Sequence, residues 1–467
     1  MKKFLYVTLF ILMFSSIHIS DVYAESDDTS RVYTIVIDRF LNKNEDNDSF
    51  DNQNSDYYLP YGGDLEGILN QLDYIKEMGF DTIQLSPVFE MDDSDILGYS
   101  VTDYTKIAER FGGEEKFKDF ISKAHDKNLK VIVDLPTTAT DEFTALENPQ
   151  MTPIMEEYID LIDRQFIDFN NEENRQKYKE LMTEFVNKFD IDGVSMYIVQ
   201  NVDRTEVLPD DIKTYAVVLS ENVDATNFDY TAYDSKRKSI AEAFGGLDKD
   251  IPEYTNSEEI LMADHFFSER FTSYSVKNNL FPGTRVKMLY PYLIAHDGPV
   301  FVTYGTEIAQ NGDNFETIHP QMNLWTDKEV HEFMKTTAEV FTKHPNLFNR
   351  DTETIVNDHG LYTVLFKTDD VDFILEINNT SETQKLEITN EYVKDGKELS
   401  GLLLGERVQP HGNSLYPVID RELTELFAVI ESPGLNHWYL ISSLLIFGGF
   451  AMFIFIVAKR SKRKENA

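Results

Sequence analysis

From Arg31 to about His344, short apolar runs alternate with amphipathic stretches. Residues 32–37, 82–85 and 131–133 are runs of strand length, whereas 65–78 and 117–125 repeat apolar residues at helical spacing. A strand covered on both faces needs the first pattern, and a helix with one buried stripe needs the second. The alternation predicts repeated βα units, and over this length the commonest arrangement is a parallel (β/α)8 TIM barrel, expected over residues 25–345. Beyond Asn349 the period shortens. Residues 361–366 and 371–377 read as strands, broken by turn clusters such as Asn378-Asn379. They predict a C-terminal all-β sandwich domain over 346–432, followed by a 433–437 linker containing Pro433-Gly434.

The two ends carry their own patterns. Lys2 and Lys3, an apolar run over 4–14 and the small-residue site Val22-Tyr23-Ala24 form the three parts of a secretory signal, expected to be cleaved after Ala24. Residues 438–458 carry no charge. At about 1.5 Å rise each they cover roughly 30 Å, so one membrane-spanning helix is expected, with Trp438 and Tyr439 at its outer edge. Lys459, Arg460, Lys462, Arg463 and Lys464 then place the 459–467 tail in the cytoplasm. These patterns predict a single-pass membrane protein with its barrel outside the cell.

Charge narrows the partners. Asp and Glu number 82 against 43 Lys and Arg, a formal net charge of −39. Such a surface argues against nucleic acid or anionic lipid as a ligand and favours solubility and cation binding. Cysteine is absent, which excludes disulfides and thiolate chemistry.

Several motifs stand in a fixed order: Asp38-Arg39-Phe40, Tyr61-Gly62-Gly63-Asp64, Gly98-Tyr99-Ser100-Val101-Thr102-Asp103-Tyr104, Phe111-Gly112, Val131-Ile132-Val133-Asp134, Ile191-Asp192-Gly193-Val194 and Tyr304-Gly305-Thr306-Glu307. Together they resemble the α-amylase family, glycoside hydrolase family 13. The resemblance implies a retaining mechanism, with a carboxylate nucleophile about 5 Å from a carboxylic acid at the strand ends of the barrel.

The chemistry expected at those positions is altered. On the fourth strand the pattern puts Tyr197 at the nucleophile position and Ser195 at that of its arginine. The family's Asn-His after Asp134 is Thr138-Ala139. Glu221 falls on the general-acid position, and near the seventh strand the best register replaces the third carboxylate by Phe266, with Asp264 as the alternative carboxylate. Tyr99, Asp134 and His265 are the expected substrate-binding residues. Asn42, Asn44, Asn47, Asp48, Gly62 and Asp64 resemble a family calcium loop, with the oxygen donors that Ca2+ prefers. The segment 135–166 corresponds to an inserted domain and is short.

Three functions remain open on this reading. The first is a non-hydrolytic barrel that binds α-glucan or another polysaccharide, and the second is an active hydrolase or transferase with altered machinery, using Glu221 with Asp264 or Tyr197. The third is a partner module of a membrane or wall complex.

Overall fold

The computed structural model describes residues 30–47, 58–253, 256–326, 328–348, 350–432 and 437–465. The expected signal segment 1–24 and residues 433–436 of the linker lie outside the described residues. Seven parallel strands form one sheet: β1 Arg31–Ile35, β2 Thr82–Leu85, β3 Lys130–Asp134, β4 Gly193–Ile198, β5 Lys213–Val218, β6 Tyr230–Tyr233 and β7 Val300–Thr303. Their order is β6-β5-β4-β3-β2-β1-β7. The barrel closes through a reduced eighth stave, because Thr231 bridges Glu259 and Leu261 bridges Val300, both in parallel. All residues of β1, β2 and β4 are buried, as strands covered by helices on the outside and side chains on the inside must be.

The helices follow from local chemistry. In α1, Gly113–Asp126, the buried residues Phe117, Phe120, Ile121 and Ala124 make one stripe. The expected helix over 65–78 is two pieces, Leu65–Leu69 and Leu72–Glu77, broken at Asn70 and Gln71. The insert after β3 holds one helix, α2 Pro153–Leu161, whose cap Thr152 accepts from the Met155 amide. Next comes α3, Glu172–Lys188, capped by Asn171. Around the far side run α4 Asp234–Phe244, α5 Phe271–Lys277, α6 Pro282–Ile294 and α7 Glu329–Lys343.

The C-terminal domain is all-β. Strands β8 Asp351–Asp358, β9 Leu361–Lys367, β10 Phe373–Asn378, β11 Lys397–Gly401, β12 Arg407–Val408 and β13 Leu423–Glu431 form a sheet in the order β8-β9-β10-β13-β11-β12. One face sends Phe366, Leu375 and Leu426 into the barrel's core. The other sends Leu365, Ile374 and Phe427 into a small core of its own with Ile388 and Leu415. Buried Arg285 of α6 ties the domains, donating to the Phe244 and Gly246 carbonyls at 2.6 and 2.7 Å and to the Asn379 side chain.

One expectation is corrected here. The C-terminal segment is a helix, α8 His437–Glu465, but no described helix is long and apolar enough to cross a membrane. The spanning helix and the single-pass membrane localisation expected from 438–458 are therefore withdrawn.

Candidate functional site

In a barrel of this kind, side chains from several strands converge at the C-terminal ends. Here Asp134 ends β3, and Ser195 and Tyr197 share one face of β4 because alternate strand residues point the same way. Asp134 and Ser195 are neighbours in register. A polar chain crosses the interior from them. Thr34 Oγ1 donates to Gln84 Oε1 at 3.0 Å, Gln84 Nε2 to Ser195 Oγ at 2.6 Å, and Ser195 Oγ to Asp134 Oδ1 at 2.8 Å. The Tyr99 hydroxyl donates to the other oxygen, Asp134 Oδ2.

This chain leaves Asp134 without a cation among the described residues. Burial pushes its carboxyl up to about 7, against the smaller downward pull of the Tyr99 and Ser195 hydrogen bonds. Tyr197 is 3 % exposed, and its hydroxyl accepts from the Phe266 amide at 3.2 Å. Burial, reinforced by the charge of Asp134, raises the phenol well above its ordinary value, so it stays protonated. A protonated phenol is no nucleophile.

Aromatic rings fill the space above. Phe267, wholly buried, packs edge-on against Tyr99 and Tyr197 with ring centres at 5.2 and 4.8 Å. Tyr158 of α2 touches Phe267 at 5.8 Å and Phe315 at 5.1 Å. Tyr99 is 1 % exposed, so no face of its ring is open to a sugar. Phe266 is buried, and its carbonyl accepts from His319 Nε2 at 2.8 Å.

The remaining carboxylates are dispersed. Asp264 Oδ2 accepts from the Phe271 amide at 2.9 Å and lies 3.5 Å from Arg270 Nε, so it caps α5. His265 Nδ1 accepts from the Phe267 amide, which leaves Nε2 to donate to Asp234 Oδ1 at 3.0 Å. Burial lowers the imidazole's affinity for a proton, and the ring is neutral. Glu221 lies in a turn beyond β5, exposed, and its carboxylate has no hydrogen-bond or charge partner among the described residues. Of the expected site residues the structure brings together Tyr99, Asp134, Tyr197, His265 and Phe266. It leaves Glu221 outside that group.

Several described oxygen donors of the expected calcium loop accept from backbone amides. Asp64 caps the helix Leu65–Leu69, accepting from the Gly67 amide at 2.6 Å, and also takes the Asn44 and Lys43 amides at 2.8 and 3.2 Å. Asn44 Oδ1 accepts from the Asp46 amide. The Gly62 amide donates to Asp38 Oδ1 at 3.2 Å. Three amides on Asp64 leave about one of its roughly four lone-pair sites, so the described donors do not by themselves make a calcium shell. The Asn47 side chain and Asp48 lie outside the described residues.

Phe267, Tyr158, Phe315 and His319 were not among the expected site residues. The Phe266-Phe267 doublet was the available signal, since two adjacent aromatics at a strand end cannot both face solvent cheaply.

Comparison with known proteins agrees with this architecture. Residues 34–148 match the family described as alpha amylase, catalytic domain, and residues 351–427 match the alpha-amylase C-terminal domain. The chain is 24 % identical over 447 residues to a beta/alpha-amylase of Paenibacillus polymyxa, covering 82 % of this chain and 36 % of that protein. It is 31 % identical over 188 residues to an oligo-1,6-glucosidase of Bacillus cereus, covering 32 % of this chain and 33 % of that protein. The chain thus spans about a third of the length of these relatives. A solved α-amylase of Anoxybacillus superimposes with a TM-score of 0.75 at 25 % identity, over 87 % of this chain and 99 % of that one. An α-amylase of Geobacillus thermoleovorans, solved with acarbose, superimposes with a TM-score of 0.72 at 23 % identity, over 86 % and 99 %. With motifs, barrel and C-terminal domain in agreement, the chain belongs to the α-amylase family, glycoside hydrolase family 13.

Proposed function

We propose that this protein binds α-glucan without ordinarily hydrolysing it. The observation that carries the reading is the filled centre of the barrel, where Asp134, Tyr197 and Phe266 are buried beneath Phe267. Retaining hydrolysis needs a carboxylate and a carboxylic acid about 5 Å apart across a sugar. Here a neutral phenol takes one place, and the glutamate at the other stands apart in solvent. α-Glucan is supported as the ligand by relatives, since one family structure holds acarbose and another maltose. Contact then falls on the rim. Trp325, 96 % exposed, lies three residues beyond Met322, whose amide donates to the Arg39 carbonyl next to β1. Its indole offers an apolar face to a pyranose.

Calorimetry with maltooligosaccharides, paired with a reducing-sugar assay, tests the reading. Saturable heat without sugar release, lost in Trp325→Ala, supports it. No heat at millimolar ligand removes the binding claim, and sugar release abolished by Glu221→Gln establishes an active hydrolase instead. Structural calcium on the 42–64 loop is also proposed, resting on Asn42, Asn44, Asp48 and the acidic composition. A melting temperature indifferent to calcium and to chelator disposes of it.

A further inference from the structure

The C-terminal domain contains a carboxylate pair unrelated to the barrel mouth. In register across three strands stand Thr363 of β9, Glu376 of β10 and Glu425 of β13. Residues flanking this row on the same faces, Leu365, Ile374 and Phe427, belong to the domain's small apolar core. All three members of the row are buried, at 0 %, 0 % and 1 % exposure.

Glu425 is fully employed. Its Oε1 accepts from the amides of Leu402, Leu403 and Leu426 at 3.1, 2.8 and 2.9 Å, and Oε2 from that of Leu404 at 2.9 Å. It therefore holds down the loop between β11 and β12. Gly401 permits this approach, because a Cβ there would collide with Glu425 Oε2. Glu376 is the opposite case. Neither of its oxygens, nor Thr363 Oγ1, has a hydrogen-bond partner among the described residues.

The charged groups around Glu376 are unfavourable to an anion. Glu425 faces it from β13 and Glu406 from the end of the loop, while the Arg407 guanidinium on β12 is taken by buried Glu398. An unpartnered carboxylate in an apolar core beside a second one is far more costly to bury than the neutral acid, which carries no charge. Burial and the charges of Glu406 and Glu425 accordingly push the Glu376 carboxyl up to about 8.

We propose that Glu376 is carried as the neutral acid and forms a proton-dependent latch: its ionisation, next to Glu425, releases the 402–404 loop. With the proton present, Glu425 is the sole anion of the pair and keeps its four amides. Once the proton leaves, two buried like charges face each other across adjacent strands. The nearest relief is water, and it enters where the loop covers Glu425.

Hydrogen exchange at the Leu402, Leu403 and Leu404 amides, corrected for intrinsic rate, tests the latch. Between pH 6 and 7 the wild type is expected to lose about tenfold in protection, with the loss levelling off above pH 8, and Glu376→Gln to lose none. Unchanged protection in the wild type, or an equal loss in Glu376→Gln, overturns the proposal. Carbon-13 titration of the wild-type Glu376 carboxyl needs no variant. A midpoint above pH 7 supports the latch and one below it refutes it.

Discussion

Ser195 Oγ donates to Asp134 Oδ1 at 2.8 Å, across two adjacent strands of the barrel. Where the family pattern sets an arginine against this aspartate, a hydroxyl contributes a hydrogen bond and no charge. Desolvation then governs Asp134, and the centre of the barrel becomes a place for neutral groups.

That governs how stability responds to pH. The Asp134 carboxyl, about 7 when folded against about 3.9 in an unfolded chain, binds its proton more tightly in the folded state. Its stabilising effect is complete below pH ~4 and is lost as pH rises through 7. Denaturant melts of wild type and Asp134→Asn should diverge over that window, with the wild type losing on the order of 4 kcal/mol relative to the variant. Parallel curves from pH 4 to 8 would contradict this assignment.

His319 acts in the other direction. Burial lowers its imidazole to about 3, against about 6.5 unfolded, and its Nε2 donates to the Phe266 carbonyl. The folded state resists the proton that the unfolded chain accepts, so stability falls as pH drops from 6.5 towards 3. His319→Gln should be less acid-sensitive than the wild type across that interval. The check is the slope of melting temperature against pH, which must be shallower in the variant.

Phe267 should be the most costly ring to remove. It contacts Tyr99, Tyr158 and Tyr197, and is wholly buried. Phe267→Ala is expected to cost about 3–5 kcal/mol in urea unfolding. A loss under 1 kcal/mol would mean that the centre is not packed as described.

Gly63 tests the loop before the first barrel helix. A Cβ at this position would strike the Ile37 and Asp38 carbonyl oxygens, which are backbone and cannot swing away. Gly63→Ala should therefore yield little folded protein or a melting temperature many degrees lower, as read by calorimetry. Wild-type stability would show that the 61–64 loop sits farther from β1.

Much of the frame was legible along the chain. The strand at Thr82–Leu85 has the bounds that its apolar run predicts, and Lys130–Asp134 and Leu361–Lys367 extend theirs by one residue at either end or at one end. The parity of Ser195 and Tyr197 on one strand face was equally readable. The helix expected over 65–78 is two pieces because Asn70 ends the first, its amide and side chain both donating to the Glu66 carbonyl. The apolar run at 438–458 suggested a span that α8 does not supply among its described residues.

By itself, then, the sequence determined which segments are strands or helices and which side chains stand at the barrel's strand ends. Those properties arise from residues close together along the chain, through their periodicity and the turns between them. Tertiary structure alone decided that Phe267 would seal the centre and that Asp134 would be governed by desolvation. It also placed Glu376 opposite Glu425. Burial and charge proximity depend on groups from distant segments, and a carboxyl's proton affinity is set by the low-dielectric surroundings that those segments build together.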